Sequence, residues 1–103
     1  MVEVDDGAAL ALRRHGRSLL AAGVVGVQGH FERGDPVQVH DRKGAIVGFG
    51  LCNYAAADLA RIRGLHSGAI QGLLGYYHGD EIIHRDNLVI VPLDEDAPQV
   101  TSR

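Results

Sequence analysis

Three sets of residues in this chain have types and spacings that could do chemistry. His78, Asp80, Glu81 and His84 lie close together and are all potential metal ligands. Zinc needs three or four such groups converging at about 2 Å from the ion. A strand over residues 82–84 would send Glu81 and His84 to opposite sides, and the spacing is not the helical His-Glu-x-x-His pattern. These side chains therefore read as solvated or turn-forming groups. The second set is nucleophilic. Cys52, the only cysteine, follows an apolar stretch and reads as a buried structural thiol. Ser18 and Ser67 have no neighbouring His–Asp arrangement, and Ser67 is better placed to cap a helix. The segment Gly44-x-x-x-Gly48-x-Gly50 lies in a hairpin, with no helix after it to hold a phosphate. With no G-x-x-x-x-G-K-[ST] loop either, the chain carries no self-contained kinase or nucleotide motif. No catalytic, cofactor-binding or metal-binding residue is assigned.

The third set is basic. Arg13, Arg14, Arg17, Arg42, Lys43, Arg61, Arg63 and Arg85 could contact RNA phosphates or a protein partner if the fold gathers them. Tyr54, Tyr76 and Tyr77 are the residues that could stack on bases, whereas Phe31 and Phe49 read as core. The net charge of −3 argues against a general nucleic-acid binder. Acidic residues crowd the two ends, at Glu3, Asp5, Asp6 and again at Asp94, Glu95, Asp96, which leaves the middle mildly basic. The segment His84-Arg85-Asp86-Asn87 is the most polar cluster between apolar strands. Turn chemistry explains most of it, with Arg85 pairing to Asp86 or Asp80.

These groups must be positioned by one domain, since 103 residues leave no room for a second. Aromatic residues are only 5 % of the chain, so the core must be built from Val, Leu, Ile and Ala. Fourteen glycines point to short strands joined by tight turns. A helix is expected over 4–15, capped by Asp5 or Asp6, buried through Ala8, Ala9 and Leu12, and stopped by Gly16. Strands are expected at 24–31, with Val25, Val27 and Phe31 on one face, and at 36–40, opened by Pro36. A hairpin at 41–44 leads into 45–52, a strand apolar on both faces and hence central, with Gly48 and Gly50 leaving room for another element.

Asn53 is expected to cap a helix over 55–63 that buries Leu59 and Ile62. Ser67 is expected to cap a second one, with Ile70, Leu73 and Leu74 inward. Strands near 82–83 and 88–91 then close the sheet. Residues 93–103 read as a disordered acidic and polar tail, leaving 1–92 as the single domain. The fold class is mainly β with short α-helices, a barrel-like sheet of mixed or antiparallel strands. No basic leader or apolar span of about 18 residues is present, so a cytoplasmic protein without membrane contact is expected.

Several segments, taken in order, resemble the C-terminal PUA domain of bacterial glutamate 5-kinases. They are Gly16-Arg17-Ser18-Leu19-Leu20, Phe31-Glu32-Arg33-Gly34-Asp35, Gly50-Leu51-x-Asn53-Tyr54, Asp58-Leu59-x-x-Ile62-x-Gly64, and Glu81-Ile82-Ile83-His84-Arg85-Asp86-Asn87-Leu88-Val89. The chain departs from that family at Ala21, where a proline is usual nearby, and at Ala55 and Ala56, where serines are usual. The resemblance implies a PUA pseudo-barrel and a parent enzyme that phosphorylates glutamate with ATP, the first step of proline synthesis. It also implies that ATP, magnesium and the catalytic residues belong to a kinase domain absent from this chain. The implied partners are that kinase domain or other subunits of a homo-oligomer, with RNA as the alternative.

Overall fold

The computed structural model describes residues 1–92. The expected tail at 93–103 lies outside the described residues. Strand β1 (Val2–Val4) opens the fold, followed by helix α1 (Asp6–His15), β2 (Leu19–Leu20), a 3-10 turn at Ala21–Gly23 and β3 (Val24–Val27). Next come β4 (Pro36–His40), β5 (Ile46–Leu51), α2 (Ala56–Ile62), a 3-10 turn at Ser67–Ala69 and α3 (Ile70–Leu74). The described part ends with β6 (Glu81–Ile83), a 3-10 turn at Arg85–Asn87 and β7 (Leu88–Ile90). Five strands form one mixed sheet in the order β3-β1-β4-β5-β7, in which only β1 and β4 run parallel. The remaining two, β2 and β6, pair antiparallel as a separate ribbon. This is the β-rich, mixed architecture with short helices that the sequence implies.

The chemistry at both ends of α1 is as expected. The Asp5 carboxylate accepts the Ala8 N–H at 2.7 Å, and Gly16 leaves the helix with φ of 58°, a left-handed geometry that glycine adopts without strain. The start differs, however. Residues 2–4 form a strand, because Val2 and Val4 alternate with Glu3 and both are fully buried. The acidic pair after them signalled a helix start and masked this short alternation.

The other strand differences are also local. β3 ends at Val27, and Val24, not Val25, is its fully buried residue. A register irregularity between Glu3 and Val4 shifts which side chain faces inward. Phe31 is buried, but beyond the end of the strand.

Neither expected cap on the second half of the chain forms. Helix α2 starts after Ala55 with no side-chain cap. Asn53 instead reaches across to β6. Its amide donates to the Glu81 carbonyl at 3.0 Å, and its backbone N–H donates to the Ile82 carbonyl at 2.7 Å. Ser67 opens a 3-10 turn without capping it. Leu59, Ile62 and Ile70 are fully buried as expected and Leu74 packs beside them, whereas Leu73 is exposed.

β5 occupies the expected central position between β4 and β7. Its two glycines are buried where β7 and β6 come closest. A methyl group built on Gly50 would lie 2.6 Å from Ile83 Cγ2 and 2.9 Å from the Asn87 carbonyl, and one on Gly48 would overlap the Val89 carbonyl. β7 therefore pairs with β5 this closely at Gly48, and β6 packs onto β5 at Gly50, only because both positions lack a side chain. Gly50→Ala should cost about 2 kcal/mol through overpacking. Gly72→Ala, in α3 with open space around it, should add about 0.5 kcal/mol through helix propensity. Thermal unfolding of the two variants against the parent chain checks both signs.

Candidate functional site

The most buried ion pair among the described residues links α1 to the β4–β5 hairpin. Asp41 organises that hairpin from within, its Oδ1 accepting the N–H groups of Lys43 at 2.9 Å and Ala45 at 3.0 Å. Its Oδ2 accepts Arg13 Nη1 at 3.2 Å, and the two side chains are only 12 % and 11 % exposed. Burial alone would raise the Asp41 carboxyl. The Ala45 and Lys43 N–H groups and the Arg13 guanidinium outweigh it and hold the pKa below the usual carboxylate range. Arg13 gives up its own hydration for this, since Nε and Nη2 are buried without a hydrogen-bond partner. Of the eight basic candidates, Arg13 is thus turned inward to fix the hairpin against the helix.

The other basic residues fall on separate parts of the surface. Arg14 and Lys43 line a depression of about 390 Å³ with Arg13, Asp6 and Asp41, and Arg42 is exposed in the same hairpin loop. Arg17 lines a more apolar groove of about 320 Å³ between α1 and the β2 segment, together with Asp5, Ala8, Ser18 and Leu20. Ser18 Oγ accepts the Arg85 N–H at 2.8 Å, which sets the turn at 85–87 beside that groove. Arg61 and Arg63, at the end of α2, donate to the carbonyls of Leu73 and Val25 and so tie α2 to its neighbours. The structure brings Arg13, Arg14 and Lys43 together, and places Arg17 near Arg85, but these eight residues do not line one common cleft.

Of the remaining polar candidates, His78, His84, Tyr54 and Tyr76 have structural partners, and the Asp86 carboxylate faces His84 at 3.6 Å in place of the expected Arg85. His84 Nδ1 accepts the Asp86 N–H at 3.0 Å, which shapes the turn. The His78 ring packs between Tyr54 and Tyr76, with ring centres 5.2 and 5.0 Å away. No group of three His, Cys, Asp or Glu side chains converges among the described residues. Tyr54, weighed above for base stacking, is fully buried. Its hydroxyl donates to the Gly79 carbonyl at 2.8 Å and accepts the His78 N–H at 2.9 Å, holding the loop before β6. The Tyr76 hydroxyl donates to the Asp58 carboxylate, and this bond raises its pKa above the ordinary tyrosine value. Cys52 is buried, and desolvation pushes its thiol up, away from the reactive thiolate.

Sequence reasoning missed the outer face of the sheet. Phe49, read as core, is 41 % exposed, and Val89 across from it is 67 % exposed. The signal was present in β5: if Gly48 and Gly50 face inward, Phe49 and Leu51 must face out.

The PUA domain pattern matches residues 1–74 of this sequence. The chain belongs to the PUA domain family. Among curated proteins, it is 50 % identical over 88 residues to a glutamate 5-kinase of Dehalococcoides mccartyi and 51 % identical over 88 residues to one of Geobacter sulfurreducens. Each match covers 85 % of this chain and 24 % of the relative. This PUA domain matches the C-terminal part of those enzymes and spans about a quarter of their length. Among solved structures it is similar to a PUA domain from Aeropyrum pernix in a tartrate complex. That match has a TM-score of 0.57 and 28 % identity, and covers 81 % of this chain and 40 % of the other. A conserved PUA domain protein from Thermoplasma acidophilum shares the fold, with a TM-score of 0.60 and 24 % identity over 91 % of this chain and 50 % of the other.

Asp41 supplies a test of the α1–hairpin link. A depressed carboxyl pKa contributes stability that is complete above the unfolded value of about 3.9 and is lost as pH falls through the lower folded value. Asp41→Asn should cost about 3 kcal/mol at pH 7, because it leaves Arg13 buried without its partner. The gap between variant and parent should narrow below about pH 4, where the parent carboxyl also becomes neutral. Urea unfolding at pH 7 and pH 3 reads both effects.

Proposed function

We propose that this PUA domain acts as a non-catalytic accessory domain of a glutamate 5-kinase, tuning that enzyme through protein contacts. The observation that carries this reading is the match over 85 % of the chain to the C-terminal quarter of glutamate 5-kinases. The structure is consistent with a role without chemistry of its own. Its one thiol is buried, its most buried carboxylate is committed to a hairpin, and His84 and His78 serve in a turn and in ring packing. On this reading ATP, magnesium and glutamate are handled by the rest of the parent enzyme, and this chain holds no cofactor. A cytoplasmic location follows from the same reading. No helix among the described residues is long and apolar enough to cross a membrane.

The test is a domain exchange. The Geobacter sulfurreducens relative would be prepared without its C-terminal quarter and with this chain in place of that quarter. The exchange should restore the activity, proline sensitivity or oligomer size that truncation alters. If none of the three differs between the truncated and exchanged enzymes, the accessory reading fails.

The placement of Arg17 and Ser18 in the α1–β2 groove, with the 85–87 turn beside it, favours RNA binding as a second reading. Fluorescence anisotropy with a structured RNA should then show binding that weakens steeply between 50 and 200 mM salt, roughly tenfold or more for a few phosphate contacts. Arg17→Glu should weaken it further. No binding at the lower salt removes this reading.

A further inference from the structure

We propose that the outer face of β4–β5–β7 is the surface that docks on the catalytic part of the parent kinase. The proposal rests on the accessory reading above and assigns it a place. The strands are PVQVH, IVGFGL and LVI, without a single Asp, Glu, Lys or Arg in a chain that is 22 % charged. Their register aligns the outward side chains across the sheet: Gln38 pairs with Phe49 and Phe49 with Val89, while Pro36 pairs with Leu51. Ile46, Phe49, Leu51 and Val89 are all exposed. On the opposite face the same strands bury Val37 and Val39, and Gly50 of β5 lies against Ile83 of β6. The exposed apolar side chains are therefore not spillover from the core. A charge-free apolar centre is the composition of a protein interface.

The absence of charge decides the class of partner. Phosphate backbones are held by Arg and Lys, and these strands have neither. A free protein partner would need roughly 1,000 Å² or more of buried surface for a stable complex. A covalently attached partner needs much less, because a short tether sets an effective concentration near the millimolar range. The relatives are about four times the length of the region they share with this chain, so about three-quarters of each lies outside it. The occupant is that larger part of the same polypeptide. Phe49 sits at the middle of the face, flanked by Gln38 and Val89, and Val89 at its edge on β7, so Phe49 is the anchor and Val89 the reporter.

Maleimide labelling of Val89→Cys tests this, since Cys52 is buried and silent in the folded chain. The labelling rate would be compared in the 103-residue chain alone and in the exchanged Geobacter enzyme described above. Gln71→Cys on α3 serves as an exposed site away from the sheet. The expected result is at least tenfold slower labelling of Val89→Cys in the exchanged enzyme, with Gln71→Cys unchanged. Adding Phe49→Gln should return the Val89→Cys rate toward that of the isolated chain, with circular dichroism confirming the fold. Equal Val89→Cys rates in the two proteins overturn the proposal, even if the exchange restores activity or proline sensitivity. Slow labelling in an exchanged enzyme whose activity, proline sensitivity and size match the truncated one supports docking and refutes regulation. Slowing that appears in the isolated chain as its concentration rises from 5 to 500 µM assigns the face to a second copy and also overturns the proposal.

Discussion

The fold depends on how closely β6 and β7 approach β5. At Gly48 the neighbouring β7 backbone, and at Gly50 the Ile83 side chain and the Asn87 carbonyl, occupy the space where a side chain of β5 would stand. That approach lets β7 join the sheet in register with β5, and it brings Ile83 onto Gly50. Leu19 then pairs with Ile83, and Asn53 reaches the backbone of β6. A side chain at either glycine would separate all of these at once. The remaining ties, such as Tyr54 to Gly79 and Ser18 to Arg85, hold loops that the close layer has already placed.

The same constraint divides the sheet into unlike faces. With the glycines inward, the larger residues of β5 are forced outward, and Phe49 is lifted into solvent beside Val89. The exposed row is a geometric result of making room on the other side. In the basic set, one feature also has two consequences. Asp41 both folds the hairpin loop and neutralises Arg13, so it draws an arginine out of the surface and into the joint between α1 and the hairpin.

The sequence made much of this legible. Glycines at 16, 44, 64 and 75 mark positive-φ ends of elements, and Pro36 marks the first residue of a strand, as local backbone chemistry requires. The central place of β5 followed from its apolar composition. Long-range pairing was harder to see. Asn53 has the right type and place to cap α2, but β6 offers its backbone instead, and nothing local distinguishes the two. Val2–Val4 is too short to show a period on its own, and becomes a strand because β3 and β4 flank it. Phe49 was misread because an aromatic residue in an apolar run is usually core, and only the facing of its glycine neighbours reverses that. The basic residues could be listed from sequence, but their division among the hairpin, the α1–β2 groove and the end of α2 depends on tertiary packing.

The β2–β6 ribbon joins Leu19 to Ile83, residues near opposite ends of the described chain. A chain growing from its N-terminus makes β2 long before its partner exists, and leaves the glycine face of β5 uncovered for the same interval. Closure of the domain thus waits on the last few elements to be synthesised. Contacts this distant in sequence place folding toward the slow, millisecond-to-second end of the range for small domains. A fragment ending before Glu81 would lack both the ribbon and the cover over β5, so its apolar strands would stay open to misassociation.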